Sequence, residues 1–324
     1  MAPPTSSDEG GGAAGYGRLT PRAVVELVAP QTWVAAVGPT CVGGATAVAF
    51  GPVPWCGFGV REALVWLLML ACSVLLQGAV NTYNDYHDYL SGLDTADTVV
   101  DVTDASIVYH KLRPRSALLV AVGCLAVAGA LGLAVVMLST PVLLLVGVLG
   151  AAAVVLYSGG PRPIASLPLG EVVSGLFMGA LIPLATCLAL VGQVSLWSVV
   201  ACFVPFVAVA LIMQTNNTCD IERDRMHGRR TLPMLMGRRA SVRMMVLAEA
   251  LVFVWMAGWS LAFWPWGAVV VAVAAVPGAL AVRRMALGRY DRKGRSAQMR
   301  NAGRLAALAM AAWTLVLLLV GAIR

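Results

Sequence analysis

The sequence predicts an all-α integral membrane protein with nine transmembrane helices. Of its 324 residues, 59% are hydrophobic and only 12% are charged, too few charges for the surface of a water-soluble protein. The apolar residues fall in uncharged runs close to the length of about 20 residues that crosses a bilayer as a helix. Lys and Arg are concentrated in every second connection between these runs.

Turn residues separate the uncharged runs into the nine predicted spans. The sequence GPVP at 51–54 ends the first run, and STP at 139–141 separates the third from the fourth. GQVS at 192–195 and WPWG at 264–267 each divide a run that is too long for one helix. The predicted spans cover approximately residues 31–50, 63–83, 116–138, 139–157, 172–191, 196–219, 244–263, 268–282 and 305–323.

The distribution of positive charge predicts the orientation of the chain. With the N-terminus inside, only Arg61 and Arg324 of the 23 Lys and Arg residues lie outside. This asymmetry predicts a cell inner (plasma) membrane protein with its basic loops in the cytoplasm. It also explains the net charge of +7 without a nucleic-acid partner. We expect residues 1–20 to form a disordered tail, and residues 21–324 to form a single transmembrane domain.

Cysteine and histidine give no indication of a soft-metal site. The seven cysteines are scattered, mostly in apolar runs and without a Cys-x-x-Cys pair, so we expect small buried hydrophobic residues. His87 and His110 lie near carboxylates, but no third soft ligand accompanies them. We interpret both as ordinary polar residues.

A first acidic stretch follows the second span. If that helix continues one turn past the membrane, Asn84 and Asp88 share a face, with Asp85 beside Asp88 and Asn81 one turn earlier. Such hard oxygen ligands at a membrane surface suit Mg²⁺. The alternative is a merely solvated acidic loop, which explains the later residues Asp97, Asp101 and Asp104.

A second acidic stretch follows the sixth span. Asn216, Asp220 and Asp224 recur every four residues, which predicts one stripe on one helix face. Glu222 and Arg223 are then expected to point elsewhere. Positive-inside bias alone does not explain a stripe of oxygen ligands on the same side as the first stretch, so a functional site is favoured.

Two arginines, Arg229 and Arg230, follow this stripe within two turns. Carboxylates that hold a metal, beside guanidinium groups that hold phosphate, are what a metal–diphosphate complex requires. The alternative is an ordinary positive-inside loop, which accounts for Arg238, Arg239 and Arg243.

Four phrases carry a family resemblance: NDYHDYLSGLDT (84–95), YSGGPRP (157–163), NNTCDIERD (216–224) and GRRTLP (228–233). In this order on a chain with nine predicted spans, they resemble the UbiA superfamily of intramembrane aromatic prenyltransferases. Within it, the chain looks most like the 1,4-dihydroxy-2-naphthoate prenyltransferases of menaquinone synthesis. The resemblance extends from about Pro30 to the end of the chain.

The resemblance implies a central cavity under a cytoplasmic-side cap, with two Mg²⁺ ions bridging the acidic motifs and a polyprenyl diphosphate. It implies transfer of the polyprenyl group to an aromatic acceptor, giving demethylmenaquinone with loss of CO₂. The implied metal ligands are Asn84, Asp85, Asp88, Asn216, Asp220 and Asp224, with the four aspartates as catalytic residues. The implied diphosphate-binding residues are Lys111, Arg162, Arg229 and Arg230. Asn81 and Tyr157 are the implied substrate-binding residues, although Tyr157 also fits an interfacial belt tyrosine.

The chain departs from the usual superfamily pattern in three places. Many members have a third Asp where this chain has Gly92, and here Asp94 follows two residues later. Many have a Lys where this chain has Pro161, with Arg162 adjacent. Ala29 stands where the usual entry motif has Arg.

Other functions fit the sequence less well. A transporter would place carboxylates or broken helices near the bilayer midplane, but here Glu249 is the one acid within a run, and it lies near a helix start. A purely structural membrane protein has no need of two Asn/Asp motifs on one side. Within the family, the alternative is another acceptor: hydroxybenzoate, homogentisate, haem or a polar lipid precursor.

Overall fold

The computed structural model describes residues 15–52, 57–95 and 105–323, and these residues contain helices and no strand. Asp97, Asp101, Asp104, Arg324 and most of the predicted N-terminal tail lie outside the described residues. The α-helices of the described part are α1 (Pro21–Val28), α2 (Val34–Phe50), α3 (Val60–Leu90), α4 (Ser106–Tyr109), α5 (Pro114–Leu138), α6 (Val142–Ser158), α7 (Gly170–Ser174), α8 (Ile182–Val191), α9 (Leu196–Ala201), α10 (Phe203–Cys219), α11 (Ile221–Met226), α12 (Leu232–Met236), α13 (Arg238–Phe263), α14 (Gly267–Leu287) and α15 (Arg295–Ala322).

Seven helical segments of the described chain are long and apolar enough to cross a membrane. An eighth is obtained if the bent pair Pro21–Thr32 and Val34–Phe50, with a 54° angle between its parts, counts as one span. The fourth predicted span corresponds to α6, an apolar helix of 17 residues. The seven are Val60–Leu90, Pro114–Leu138, Gly170–Val191, Leu196–Cys219, Arg238–Phe263, Gly267–Leu287 and Arg295–Ala322.

The two predicted turns inside long apolar runs are confirmed. Gly192, at φ +74°, ends α8 in the left-handed conformation that a residue without Cβ adopts easily. The Ser195 hydroxyl then accepts a hydrogen bond from the Ser198 backbone N–H at 3.2 Å and caps α9. The second turn lies between α13 and α14, at Trp264–Trp266.

Both acidic stretches lie at helix ends, but the second is not on one helix. The helix α3 continues to Leu90 and therefore carries Asn81, Asn84, Asp85 and Asp88 of the first motif. The helix α10 ends at Cys219, and α11 begins after Asp220, so the prediction of one uninterrupted helix is wrong. The Asp220 backbone N–H still donates to the Asn216 backbone carbonyl oxygen (3.2 Å), and the Asp224 N–H donates to the Asp220 carbonyl oxygen (2.8 Å). The helical hydrogen bonds between residues four apart are therefore kept across the break.

Close helix packing depends on small residues. A π-helical stretch, Gly175–Leu181, joins α7 to α8 and packs against α10. A Cβ built on Gly179 would lie 2.4 Å from the Phe206 Cα, so the two backbones approach only because this position has no side chain. Elsewhere the core centres on Trp313, which is fully buried and donates its indole N–H to the Ala201 oxygen at 2.8 Å.

Candidate active site

A cavity of about 760 Å³ lies between the long helices. Its polar end includes Asn81, Asn84 and Asp88 from α3, together with Asn216 from α10. The rest of its wall is mainly apolar and comes from α3, α5, α6, α8, α10 and α15. The cavity thus joins a cluster of oxygen donors to an apolar interior, the combination expected of a small-molecule site.

The first motif is organised by the extension of α3. The Asn84 side-chain amide donates to Asp88 Oδ2 at 3.0 Å, so the two share a helix face as predicted. The Ser158 hydroxyl, at the end of α6, donates to Asn84 Oδ1 at 2.9 Å. Asp85 Oδ2 accepts from the Ser106 backbone N–H at 3.0 Å, and Asn81 donates its amide to Val28 and Thr32 oxygens (3.1 and 2.7 Å).

Two arginines join the two acidic motifs, which are far apart in sequence. Arg229 contacts Asp88 and lies 3.5 Å from Asp224 Oδ1. Arg223 donates to Asp94 Oδ1 at 2.9 Å and to Asp220 Oδ2 at 3.0 Å. The expectation that Arg223 points away from the site is therefore wrong, because α11 starts after the break at Asp220 and turns this side chain inward.

The more distant Arg295 also reaches the site, and sequence reasoning missed it. It is the first residue of α15, donating through Nη2 to Asn216 Oδ1 at 2.7 Å and through Nε to Asp220 Oδ2 at 3.3 Å. In the sequence it is one of several cations in a positive-inside loop. The available sequence signal was the four-residue spacing of Arg295, Met299 and Gly303, which places them on one helix face. In the structure all three line the cavity.

The motif aspartates are buried and paired. Asp88, Asp220 and Asp224 are 6%, 5% and 1% exposed. Burial raises the pKa of Asp224 to about 6; Arg229 opposes this shift, and the like charge of Asp220 adds to it. A bound cation would favour the ionised form of this carboxyl group. Carboxylates at such depth require positive partners, which the arginines supply in this structure.

Three of the four predicted diphosphate-binding cations lie away from the cavity. Lys111, Arg162 and Arg230 are exposed, and none of them is among the described residues that line it. Only Arg229 of that set reaches the carboxylates. Tyr157 lines the cavity, and its hydroxyl accepts a hydrogen bond from Ser174 at 3.3 Å.

The donor set fits a hard divalent cation held jointly with a substrate. Across the described ranges, no three His, Cys, Asp or Glu side chains form a ready-made metal cage. Mg²⁺ seldom uses such a cage, because it keeps water and binds through one or two carboxylates plus substrate phosphates. His87 and Cys219 of the two motifs are not among the described residues that line the cavity. The carboxylate and amide oxygens beside it are suited to Mg²⁺ rather than to a soft metal.

Comparison with known proteins identifies the family. The UbiA prenyltransferase family matches residues 36–304 of this chain. The chain belongs to the UbiA prenyltransferase family. This multi-pass membrane protein is accordingly a prenyltransferase, as the sequence phrases predicted. It is 32% identical over 233 residues to the 1,4-dihydroxy-2-naphthoate octaprenyltransferase of Bacillus subtilis (strain 168), a match that covers 72% of each chain.

Solved structures of low sequence identity share the fold of this prenyltransferase. A UbiA homolog from Archaeoglobus fulgidus bound to GPP and Mg²⁺ has a TM-score of 0.60 at 17% identity, over 91% of this chain and 99% of that one. The same homolog bound to DMAPP and Mg²⁺ gives a TM-score of 0.59 at 17% identity, with the same coverage. A digeranylgeranylglyceryl phosphate synthase matches at 0.57 and 16% identity, over 94% of this chain and 99% of its own.

Proposed function

We propose that this protein transfers a polyprenyl group from an allylic diphosphate to 1,4-dihydroxy-2-naphthoate, with loss of CO₂, to give demethylmenaquinone in its reduced, quinol form. The observation that carries the proposal is the joining of both acidic motifs, through Arg229 and Arg223, at one end of an apolar cavity. The naphthoate acceptor is supported by the similarity to the Bacillus subtilis octaprenyltransferase. Two solved structures of one relative, the Archaeoglobus fulgidus UbiA homolog bound to DMAPP or to GPP together with Mg²⁺, support the donor and the cofactor.

The residues present assign separate tasks to carboxylates and arginines. When bound, Mg²⁺ would neutralise charge on the diphosphate leaving group as a Lewis acid. We assign the diphosphate oxygens to Arg229, with Arg223 and Arg295 beside it. The predicted Lys111 and Arg162, like Arg230, would have to move inward to take part. The proposed Mg²⁺ ligands are Asn84, Asp85, Asp88, Asn216, Asp220 and Asp224.

The chemistry separates charge, and the cavity suits that separation. The C–O bond of the donor breaks, and its electron pair leaves with the diphosphate toward the arginines. The apolar wall, which includes Met178 and Ile212, keeps water from the allylic cation. The acceptor ring carbon that bears the carboxylate then forms the new C–C bond. As CO₂ leaves, the pair that held the carboxyl carbon returns to the ring, and the reduced form of the quinone results.

We also propose nine crossings, with the N-terminus and the site in the cytoplasm at the cell inner membrane. The 17 residues of α6 extend about 26 Å, close to the hydrocarbon thickness, which supports the ninth crossing. The short helices α4, α11 and α12 would form the cytoplasmic-side cap. In a cysteine-free background, an impermeant thiol reagent should label Arg230→Cys only from the cytoplasmic side. Labelling from the outside would reverse the orientation.

A direct assay tests the enzymatic proposal. The protein in lipid nanodiscs is incubated with octaprenyl diphosphate, Mg²⁺ and a panel of aromatic acceptors, and the products are identified by mass. We expect one prenylated naphthalene product and release of CO₂. Asp88→Ala and Asp220→Ala should abolish product while the protein stays folded, and Glu222→Ala, at an exposed acid paired with Arg238, should not. Full activity in either aspartate variant contradicts the assigned roles.

A further inference from the structure

One buried carboxylate near the site has no part in the mechanism above. Glu171, in α7, is 3% exposed, and its Oε1 accepts a hydrogen bond from the Asn217 side-chain amide at 2.8 Å. Its Oε2 has no hydrogen-bond partner in the described part of the chain. A carboxylate inside an apolar helical region is costly to bury, so its presence calls for a role beyond packing.

The Glu171 carboxylate dictates the orientation of the Asn217 amide. A carboxylate only accepts hydrogen bonds, so Asn217 must turn its NH₂ group toward Glu171 and its carbonyl oxygen away. That oxygen accepts from the side-chain amide of Asn216 at 3.4 Å. Asn216 therefore uses its NH₂ group toward Asn217 and directs Oδ1 to the other side.

The other side of Asn216 is the candidate active site. Its Oδ1 receives Arg295 Nη2 at 2.7 Å, and Arg295 also contacts Asp220. A guanidinium has only donors, so this contact requires the same amide orientation as the Glu171–Asn217 chain. Two independent neighbours, one on each side, thus agree that Asn216 presents oxygen to the site.

We propose that Glu171 is a positioning residue for metal binding. Through Asn217, it holds the Asn216 amide with its oxygen, rather than its NH₂ group, facing the Mg²⁺–diphosphate complex. The inference rests on the proposed function, because it takes Asn216 as a metal ligand. An amide turned the other way removes one oxygen ligand and points a positive dipole at the cation.

Removing Glu171 should weaken metal binding, and a carboxylate at position 216 should restore it. Losing an outer partner of a metal ligand typically weakens metal affinity by about 10- to 100-fold. Asn217 is that partner and Glu171 orients it, so we expect a loss of about 10-fold, the lower end of this range, in Glu171→Leu. Glu171→Gln keeps a carbonyl oxygen for Asn217 and should bind metal like the wild type. Asp offers oxygen in either orientation, so Glu171→Leu combined with Asn216→Asp should match Asn216→Asp alone.

The measurement is a Mn²⁺ titration followed by electron paramagnetic resonance. Each variant, in nanodiscs and saturated with a non-hydrolysable allylic thiolodiphosphate, is titrated with Mn²⁺ as the probe for Mg²⁺. Asn217→Leu removes the middle residue of the hydrogen-bond chain from Glu171 to Asn216, and it replaces Glu171→Leu as the test if that variant does not fold. Asn217→Leu should lose at least as much Mn²⁺ affinity and should be rescued in the same way by Asn216→Asp.

The outcomes separate this inference from the proposed function. Wild-type affinity in Glu171→Leu overturns the positioning role. So does a double variant as weak as Glu171→Leu alone, since Glu171 would then act by anchoring α7 to α10. If the wild type itself binds no Mn²⁺ with the diphosphate analogue, the proposed function fails and the inference fails with it.

Discussion

Neighbouring arginines of equal charge have different surroundings in this protein. Arg229 lies between Asp88 and Asp224, whereas the Arg230 side chain is exposed. We expect Arg229→Ala to lower kcat/KM for the allylic diphosphate by about 100-fold or more, the usual loss when one donor to developing negative charge is removed. Arg230→Ala is the matched control and should leave the kinetics unchanged. Equal losses of kcat/KM in both variants would show that Arg230 also contacts the diphosphate, which contradicts its assignment outside the site.

At the residue scale, sequence reasoning succeeded where one helix carries the whole pattern. Asn84 and Asp88 were predictable because a four-residue spacing fixes a shared face once the helix continues. Arg223 and Arg295 were not, since a break in the helix turns one inward and the other comes from the last helix. Glu171 was missed because its partner, Asn217, lies 46 residues further along the chain. The presence of a charged residue close to a motif in the sequence does not show whether its side chain faces the cavity.

At the scale of elements, Gly179 sets the distance between the π-helical stretch and α10. A methyl group there would meet the Phe206 Cα and the Pro205 oxygen at 2.4 Å, and neither backbone atom can move alone. We expect Gly179→Ala to destabilise the protein by about 1–3 kcal/mol, the usual cost of overpacking, despite the better helix propensity of Ala. Thermal unfolding in detergent measures the change.

The control for this substitution is Gly129→Ala in α5, where a Cβ meets no atom within 4 Å. This variant should be as stable as the wild type or more stable. A Gly179→Ala protein that unfolds at the wild-type temperature would show that α10 can shift without cost.

Helix ends were predictable where local turn chemistry decides them and not where tertiary contacts do. Gly192 and Trp264–Trp266 end helices by their own conformational preferences, so both boundaries were predicted. The continuation of α3 to Leu90 and the break at Asp220 occur where the chain turns polar. There, arginines contact the side chains of Asp88 and Asp220, and hydropathy carries no information about these contacts.

At the scale of the whole molecule, we expect the apolar part of the cavity to limit the length of the prenyl chain that the protein accepts. Gly150 of α6 lines the cavity, and a Cβ built there meets no atom within 4 Å. A leucine at this position would fill space that a long chain needs. We expect Gly150→Leu to slow turnover of octaprenyl diphosphate by about 10-fold or more, the effect of 1.4 kcal/mol or more on the barrier, with geranyl diphosphate little affected.

The matched control is Gly129→Leu, at an exposed α5 position that does not line the cavity. It should leave both donors unaffected in the same steady-state comparison. If Gly150→Leu treats short and long donors alike, the tail takes another path out of the cavity.

The membrane class followed from composition, because 12% charged residues cannot cover a water-soluble surface. The all-helical class followed from the uncharged runs of about 20 residues. The number of crossings is less directly readable. The helix α6 is apolar enough to cross a membrane but is shorter than a typical span. The bent pair at the start of the chain crosses the membrane only if its two helices together form one span. Span counting assumes straight helices of standard length, whereas the first pair of helices is bent and α6 is short.

The arginine contacts across the two motifs have a consequence for the order of binding. Without ligands, Arg229, Arg223 and Arg295 are already paired with the carboxylates of Asp88, Asp94, Asp220 and Asp224. A lone divalent ion would have to displace a guanidinium, and a lone diphosphate would have to draw the arginines from their carboxylates. In the proposed mechanism, an ion and a diphosphate that arrive together would each supply the counter-charge that the other releases. We therefore expect the protein to bind the ion and the diphosphate together more tightly than it binds either one alone.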